Sequence, residues 1–387
     1  MRALDGVRVL DMSRLLPGGY CTMLLSDLGA EVVKLEDPKV GDYIRLYPPF
    51  AKGTSILHML LNRNKKSISL NLKSEKGREV FYKLCSDYDV IVESFRPSVV
   101  SRLGVDFETV RKINPRMIYC SITGFGQNTL YSRMPVHDLN IQAMAGVLSL
   151  NGSQSEGPGF PALQSADIGG AFFATIAILA ALLERRETGV GRYLDVSMFE
   201  CTLFTMITHL ARHFGGEKSE RGRQMITGGE PYYNIYKTLD DKYVALASIE
   251  PNFWRNFCYL TGREDLVERQ HEEGRTKENV FEEVRKVLAS KPREDWLKLL
   301  MNEETCLTPV LNVQEILEEA FLVERGIIQK VEYESIGKIR LLGSMPSSER
   351  RAGWNLAPAH GQHTNEILRL MGHDEDGIEK LRKEGIV

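Results

Sequence analysis

Residues 4–38, LDGVRVLDMSRLLPGGYCTMLLSDLGAEVVKLEDP, decide the fold of this chain. Their apolar pattern predicts a strand over Val7–Leu10, a helix over Tyr20–Leu28 and a second strand over Glu31–Leu35. A strand, a helix and a strand in succession favour two parallel strands with the helix packed on the sheet. The segment after the first strand, DMSRLLPGGY, contains no G-x-G-x-x-G, so a nicotinamide dehydrogenase is not expected.

The same alternation continues to about residue 122. It predicts a helix over Glu75–Cys85, a strand over Val90–Glu93, a helix over Phe107–Ile113 and a strand over Met117–Ile122. Repeated alternation of this kind is typical of an α/β fold in which helices cover a parallel sheet. Because ligands bind such sheets at the carboxyl ends of the strands, we expect the functional site there.

The second half of the chain predicts a smaller α+β domain. A long helix over 169–186 ends the first part, and polar, glycine-containing sequence over 215–229 interrupts the pattern. Two strands that meet at Asp240 and Asp241 and three further helices then follow. We therefore predict a large domain over 1–200, a linker over 201–228, a small domain over 229–328 and a return to the large domain over 329–387.

Composition limits the class of protein. The 387 residues are 43% hydrophobic and 26% charged with a net charge of -3, so we expect a globular protein that binds neither nucleic acid nor an anionic membrane. The six cysteines are dispersed and lack metal-ligand spacing, which favours a reducing compartment and no metal. The N-terminus shows no secretory h-region, and the apolar run Ile168–Leu183 is shorter than a bilayer span. These observations predict a cytoplasmic enzyme.

Two segments thirty residues apart carry candidate catalytic groups, His137 in MPVHDLN and Asp167 in QSADIGGAFF. An imidazole and a carboxylate can remove a proton from one face of a carbon and return it to the other. Asp167 opens a helix in which Gly169 and Gly170 allow a ligand to approach backbone N–H groups. A helix-capping aspartate and a hydrogen-bonded structural histidine are the alternative interpretation. Asp138 follows His137 directly, and adjacent positions on a helix do not face each other, so it is not an obvious partner for the imidazole.

Positive charge is concentrated in the segments NRNKKSISLNLK and ESFRPSVVSRLG, near candidate strand ends. A solvated surface is one interpretation, and a phosphate-rich ligand such as coenzyme A is the other. The basic residues are Arg63, Lys65, Lys66, Lys73, Arg96 and Arg102.

Taken in order, the motifs of this chain resemble those of the class III CoA-transferase family, and most closely its alpha-methylacyl-CoA racemase branch. Residues 4–38 carry the first of them. The others are KKSISLNLK, VIVESFRP, NPRMIYCSITGFGQ, HDLN, ADIGG, TGVGRYLDVSMFE, GGEPYYNIYKT, ASIEPNFW and GQHTNEIL.

The resemblance implies a Rossmann-like large domain, a smaller α+β domain, and two subunits threaded through each other as an interlocked homodimer. It also implies an acyl-CoA substrate. Coenzyme A would then be part of the substrate, with no permanently bound cofactor.

The resemblance leaves two activities open. In the racemases, positions matching His137 and Asp167 exchange the proton at the alpha carbon of a 2-methylacyl-CoA through an enolate, whose oxygen we expect backbone amides near Gly169 to bind. Glu250 matches a racemase position that orients the histidine, and we also place Asp138 among the catalytic residues. In the transferases, the aspartate at position 167 attacks the thioester and passes coenzyme A to a second acid. The histidine in HDLN favours the racemase.

The resemblance further implies which residues contact the acyl-CoA. They are Arg14, Lys34, Lys66, Ser69, Leu70, Asn71, Leu72, Glu93, Arg96, Arg102, Val136, Leu139, Asn140, Ile141 and Gly169.

Some positions depart from the racemase pattern, and others match positions of the transferases. Val136 and Ile141 replace a glycine and an aromatic residue, and Asp37 replaces an arginine that meets the CoA phosphates. Lys34 and Arg45 are the candidate substitutes for that arginine. The matches to a glycine loop that closes over the intermediate in transferases are Gly228 and Gly229. The sequence leaves open the acyl group and the subunit that supplies Glu250.

Overall fold

The computed structural model describes residues 2–333, 336–345 and 355–387. Its packing divides the chain into two compact units. Unit 1 comprises Met1–Ala145, Leu163–Met206 and Val323–Val387, and unit 2 comprises Gly146–Ala162 and Ile207–Leu322.

Unit 2 includes residues 146–162, which the predicted boundaries place in the large domain, and residues 207–228, which they place in the linker. The guanidinium group of Arg221 accounts for the first difference. It donates hydrogen bonds to the backbone carbonyls of Ser149, Ser153 and Glu156 at 2.8–3.0 Å. Segment 146–162 is therefore tied to unit 2.

A six-stranded, fully parallel sheet forms the centre of unit 1. Numbered along the chain, the strands lie in the order 3-2-1-4-5-6, as in doubly wound folds that bind ligands where the strand order reverses. The prediction of an α/β fold with a parallel sheet is confirmed. Across the sheet, the strands are Lys66–Ser69, Glu31–Glu36, Arg8–Asp11, Val90–Glu93, Ile118–Thr123 and Tyr193–Ser197.

The apolar strands of this sheet are buried on both faces. Val9 packs into one hydrophobic cluster and its neighbour Leu10 into another, and Val90 and Ile91 divide in the same way. Successive residues of a strand point to opposite faces, so an uninterrupted apolar run serves two cores. The strand Lys66–Ser69 was not predicted because its sequence, KSIS, contains a single apolar residue.

Helices cover both faces of the sheet. In unit 1 they are Leu15–Asp27, Ile56–Leu61, Glu75–Asp87, Val99–Leu103, Phe107–Ile113, Asp138–Met144, Ser165–Thr188, Met198–Thr205, Thr364–Leu370 and Glu375–Lys383, with a 3-10 turn over Tyr43–Leu46. Two small antiparallel pairs join Phe50–Ala51 to Thr54–Ser55 and Ile328–Tyr333 to Gly337–Leu342.

The helix Ser165–Thr188 is long and apolar enough to cross a membrane by length and composition alone. Half of its most apolar window is buried within the protein, as is usual for a core helix. Ala174 and Ile178 belong to the hydrophobic cluster on one face of the sheet. Gly170 allows close packing on this helix, since a Cβ atom there would lie 2.9 Å from Met198 Cγ.

Unit 2 contains a three-stranded antiparallel sheet with helices packed on it, and its core includes the fully buried Trp254 and Trp296. Asp241 has a φ of 58°, which suits the tight turn predicted between the first two strands. The strands are Tyr233–Lys237, Tyr243–Ala247 and Leu307–Pro309, and the helices are Val147–Leu150, Ile207–Phe214, Pro251–Leu260, Gly274–Leu288, Arg293–Leu300 and Val313–Glu318, with 3-10 turns over Met225–Thr227 and Glu264–Arg269. The boundary with unit 1 falls within the short helix Ala320–Glu324.

Candidate active site

A cavity of about 890 Å³ lies in unit 1 at the carboxyl ends of the parallel strands. The segments that follow four of the strands supply Asp37, Lys73, residues 94–97 and Gly124 to its lining. The backbone of Arg14, which follows the first strand, is joined to Ser94, which follows the fourth, by a hydrogen bond of 2.9 Å. The cavity therefore lies where the strand order reverses, the position at which this class of sheet binds ligands.

His137 and Asp167 line this one cavity, although thirty residues separate them in the chain. His137 immediately precedes the helix Asp138–Met144, and its backbone N–H donates to Asn140 Oδ1 at 3.0 Å. Asp167 lies in the first turn of the helix Ser165–Thr188. The structure therefore places both residues on one cavity wall, and their catalytic roles stay a prediction.

Asp138 binds the start of the helix that carries Asp167. Its Oδ1 accepts the backbone N–H groups of Ala166 at 2.8 Å and Asp167 at 3.1 Å. Its Oδ2 accepts a hydrogen bond from Gln142 Nε2 at 2.6 Å. A carboxylate at this point satisfies unpaired donors of the first helical turn and interacts favourably with the helix dipole. Asp138 is therefore a positioning residue for Asp167.

Burial and, to a smaller extent, the negative charge of Asp138 together raise the pKa of Asp167 to about 7. A carboxyl group with this pKa is divided between its acid and base forms near neutrality. Such a group serves either as a proton donor or as a proton acceptor.

The amides at the start of this helix are already engaged. Those of Ala166 and Asp167 bind Asp138, and that of Ile168 donates to the Gln164 carbonyl at 3.0 Å. They are therefore not free to bind an enolate oxygen, which is the role that we predicted for the amides near Gly169. Gly169 itself leaves open space, because a Cβ atom there would meet no other atom within 4 Å.

Four basic residues line the same cavity, namely Arg14, Lys73, Arg96 and Arg102. The guanidinium group of Arg14 lies over the rings of Tyr43 and Phe95, at 5.1 and 5.3 Å from their centroids. Lys73 ends the basic segment NRNKKSISLNLK, but it is not among the residues predicted to contact the acyl-CoA. These cations give the cavity the charge that a phosphate-bearing ligand requires.

A smaller adjoining cavity is lined by Leu70, Asn71 and Leu72 together with Arg14 and Lys73. The first three follow the strand Lys66–Ser69. All three were predicted contacts, and they lie beside the basic residues of the larger cavity.

Neither Lys34 nor Arg45 compensates for Asp37. The Lys34 ammonium is fully buried, lies 2.8 Å from Asp42 and 3.6 Å from Asp11, and donates to the Ser13 carbonyl. Arg45 forms a two-pronged ion pair with Glu36 at 2.6 and 2.8 Å. Removing a cation from a buried pair leaves its partner uncompensated, so both side chains are committed to the fold.

Lys66 and Ser69 are also committed elsewhere. Lys66 pairs with Glu366 at 2.9 Å and lines a different cavity. The backbone N–H of Ser69 donates to Thr364 Oγ1 at 3.0 Å.

Glu93 lies beneath the cavity wall. It is fully buried and accepts hydrogen bonds from the backbone N–H of Phe95, at 2.7 Å, and from the hydroxyl of Ser121. Burial raises the pKa of Glu93 to about 7. Since Phe95 lines the cavity, Glu93 supports the wall.

The remaining predicted contacts surround His137. Val136 lines the cavity and packs on Gly124, where a Cβ atom would lie only 2.6 Å from Val136 Cγ2. Ile141 is fully buried in the core and Leu139 is exposed. Val136 is therefore the member of this group that shapes the cavity.

Glu250 belongs to unit 2, where it immediately precedes the helix Pro251–Leu260. Gly228, with a φ of 91°, and Gly229 also belong to unit 2. The role of Glu250 in orienting His137 stays a prediction. Among residues 2–333, 336–345 and 355–387, no group of His, Cys, Asp and Glu side chains has the arrangement of a metal site.

The sequence profile of CoA-transferase family III matches residues 4–364 of this chain. The alpha-methylacyl-CoA racemase of Mus musculus is 32% identical over 391 residues, which cover 99% of this chain and 97% of the racemase. The succinyl-CoA:glutarate CoA-transferase of Mus musculus is 31% identical over 396 residues, which cover 100% of this chain and 91% of the transferase. The crystal structure of a CAIB/BAIF family protein from Brucella suis is 26% identical, with a TM-score of 0.82 over 96% of this chain and 99% of that one.

Proposed function

We propose that this chain, which belongs to CoA-transferase family III, is an alpha-methylacyl-CoA racemase that interconverts (R)- and (S)-2-methylacyl-CoA thioesters. The observation that carries the proposal is the common cavity of His137 and Asp167, with basic residues on the same wall. A thioester bound there by its CoA phosphates would have its alpha carbon within the part of the cavity that holds two different acid–base groups.

The reaction is a 1,1-proton transfer. Neutral His137 removes the alpha proton of the (S)-thioester, and the electrons of that C–H bond form an enolate. Protonated Asp167 then delivers its proton to the opposite face of the alpha carbon, which restores the thioester as the (R)-isomer. The raised pKa of Asp167, about 7, supports this assignment, because an ordinary aspartate would hold no proton to deliver near neutrality.

Apolar side chains of the cavity suit the acyl part of the substrate. Ile122, Met134, Val136 and Met198 line it together with His137. Apolar walls exclude water from the reacting carbon and raise the pKa of a buried carboxyl group. We also propose that Glu250, a residue of unit 2, orients the imidazole of His137.

CoA transfer is the second candidate, and the 31% identity to the succinyl-CoA:glutarate CoA-transferase supports it. In this reaction the ionised carboxylate of Asp167 attacks the thioester carbonyl and expels CoA as the thiolate. The thiolate then attacks the aspartyl carbonyl of the resulting mixed anhydride, which releases the first acid and leaves an aspartyl-CoA thioester. The carboxylate of the second acid attacks this thioester and expels the thiolate, which finally attacks the carbonyl of the second acid, forms its CoA thioester and frees Asp167. His137 has no necessary part in that sequence.

Deuterium exchange separates the two reactions. The enzyme is incubated in deuterium oxide with (S)-2-methylacyl-CoA, and alpha-deuterium and inversion are followed by mass spectrometry and chiral chromatography. The racemase takes up deuterium without an added acid. Absence of exchange, together with CoA transfer to oxalate, formate or succinate, would refute the racemase and support the transferase.

The proposal includes a cytoplasmic homodimer. On the helix Ser165–Thr188, Phe172, Ile176 and Leu183 are 44%, 60% and 63% exposed in the single chain. A stripe of large apolar side chains on one helix supports a partner surface. Light scattering of the purified protein tests the dimer, and a monomeric mass would contradict it.

A further inference from the structure

The side chain of Gln142 connects Asp138 to the segment that leads into the Asp167 helix. Its Nε2 group donates to Asp138 Oδ2 at 2.6 Å and to the backbone carbonyl of Leu163 at 3.0 Å. Gln142 is 1% exposed. Both amide protons are thus used in a site that solvent hardly reaches.

The Asp138 carboxyl group is held at both of its oxygens. Its Oδ1 accepts the two backbone N–H groups of the Asp167 helix, and its Oδ2 accepts from Gln142. Because Gln142 also binds the Leu163 carbonyl, it ties Asp138 to the segment that leads into the Asp167 helix.

We propose that Gln142 is a positioning residue that holds the Asp138 carboxyl group against the first turn of the Asp167 helix. The proposal deepens the racemase assignment and rests on it for its catalytic meaning. The negative charge of Asp138 contributes to the raised pKa of Asp167, so the protonated fraction of Asp167 depends on where the Asp138 carboxyl group is held.

The charged groups around Asp167 agree with this arrangement. Asp138 is the group whose charge raises the pKa of Asp167, and His137 lines the same cavity. Arg14, Lys73, Arg96 and Arg102 also line this cavity. The other titratable residues on elements packed against this helix are Tyr20, Cys21, Asp27, Tyr119, Cys120, Tyr193, Asp195, Glu200 and Cys201.

The first test is Gln142→Met, which keeps the length of the side chain and removes both donors. Carboxyl carbons of the full-length protein, labelled with ¹³C-aspartate, are titrated by NMR, and Asp167→Asn identifies the Asp167 signal. We expect the apparent pKa of Asp167 to fall by about one unit in Gln142→Met, because the negative charge of Asp138 is no longer held beside it. Gln314→Met, at an exposed position of unit 2, is the control and should leave this titration unchanged.

Deuterium uptake gives the second readout. A fall of about one pKa unit reduces the protonated fraction of Asp167 roughly tenfold at pH above its pKa, and exchange that requires this proton falls by the same factor. In Gln142→Glu, a protonated glutamic acid still donates to Asp138 and an ionised one cannot. Exchange by this variant should therefore persist at acid pH and decline at a lower pH than in the unmodified enzyme.

An unchanged Asp167 titration in Gln142→Met would overturn the proposal, even if the enzyme is shown to be a racemase. If Gln142→Met does not fold, an unaltered pH profile of Gln142→Glu would overturn it. Failure of the unmodified protein to exchange deuterium would instead refute the racemase, and the NMR titration would still decide the role of Gln142.

Discussion

The carboxylate of Asp138 accepts the backbone N–H of Asp167 at 3.1 Å. This bond links the side chain of Asp138 to the main chain of Asp167. It fixes the first turn of the helix on which Asp167 stands and places a negative charge beside it. The geometry of the site and the proton on Asp167 thus depend on one residue.

Asp138→Asn should weaken both effects. Asparagine carries no charge. Its NH2 group faces either the helix amides or Gln142 Nε2, and both of these are themselves hydrogen-bond donors. We expect the pKa of Asp167 to fall toward its ordinary value, and the free energy of unfolding to decrease by about 1–3 kcal/mol through loss of charge-assisted bonds. Urea denaturation and the Asp167 titration measure the two changes. An unaltered titration would show that the charge of Asp138 does not act on Asp167.

His137→Gln and Asp167→Asn should separate the racemase from the transferase. If proton transfer is the reaction, each change lowers deuterium uptake and inversion by at least a hundredfold, in line with the loss of one acid–base group. If Asp167 is a nucleophile, Asp167→Asn abolishes CoA transfer and His137→Gln retains most of it. Glu79→Gln, on an exposed helical position, serves as the control. Equal loss of CoA transfer in both variants would contradict the separation.

Mixed dimers test which subunit supplies Glu250. His137→Ala and Glu250→Gln proteins are denatured together and refolded, so that hybrids form. If Glu250 acts on His137 of the partner subunit, a hybrid has one site with both residues intact and the mixture recovers activity. If Glu250 acts within its own chain, both sites of the hybrid carry one lesion and no activity returns. A mixture of two His137→Ala preparations is the control for refolding.

Lys73 and Arg102 should bind the nucleotide part of the substrate. We expect Lys73→Ala and Arg102→Ala each to raise KM for the acyl-CoA about tenfold, because a hydrogen bond to a charged group contributes about 1.5–3 kcal/mol, while kcat stays nearly unchanged. Lys66→Ala is a matched control, since Lys66 pairs with Glu366 and lines another cavity. The corresponding N-acetylcysteamine thioester lacks the nucleotide, so its KM should not respond. A response to that substrate would place the two cations at the acyl group.

Sequence patterns predicted the parallel sheet, because hydrophobic periodicity is carried by local sequence. The partnership of His137 and Asp167 rests on the resemblance and stays a prediction, although both residues line one cavity. Sequence patterns did not distinguish Lys73 from Lys34, which are both cations near strand ends. Lys34 lies within its strand and is buried against Asp11 and Asp42, whereas Lys73 follows its strand and lines the cavity. That difference depends on acidic residues elsewhere in the chain, so it emerges only when the strands are assembled.

The same reason applies to Asp138. It is adjacent to His137 in sequence, but its side chain binds backbone amides 28 and 29 residues away, and local sequence does not show that contact. Gln142 gave one local signal, its position one helical turn after Asp138, where i and i+4 side chains meet.

Glu93→Gln should remove a loss of folding stability that develops as pH rises. Burial raises the pKa of Glu93 to about 7 in the folded protein, against an ordinary value of 4.5. Between these values the folded state binds more protons than the unfolded state, so stability is greatest below about pH 4.5 for this group and falls as pH rises through about 7. The ionised form costs on the order of 3 kcal/mol at higher pH. Glutamine keeps an oxygen for the Phe95 N–H and carries no charge, so the variant should be the more stable protein at pH 8 and lose this part of the slope. Urea unfolding between pH 5 and pH 8 measures the difference, with Glu79→Gln as the control. A variant with the unmodified slope would show that Glu93 is not the titrating group.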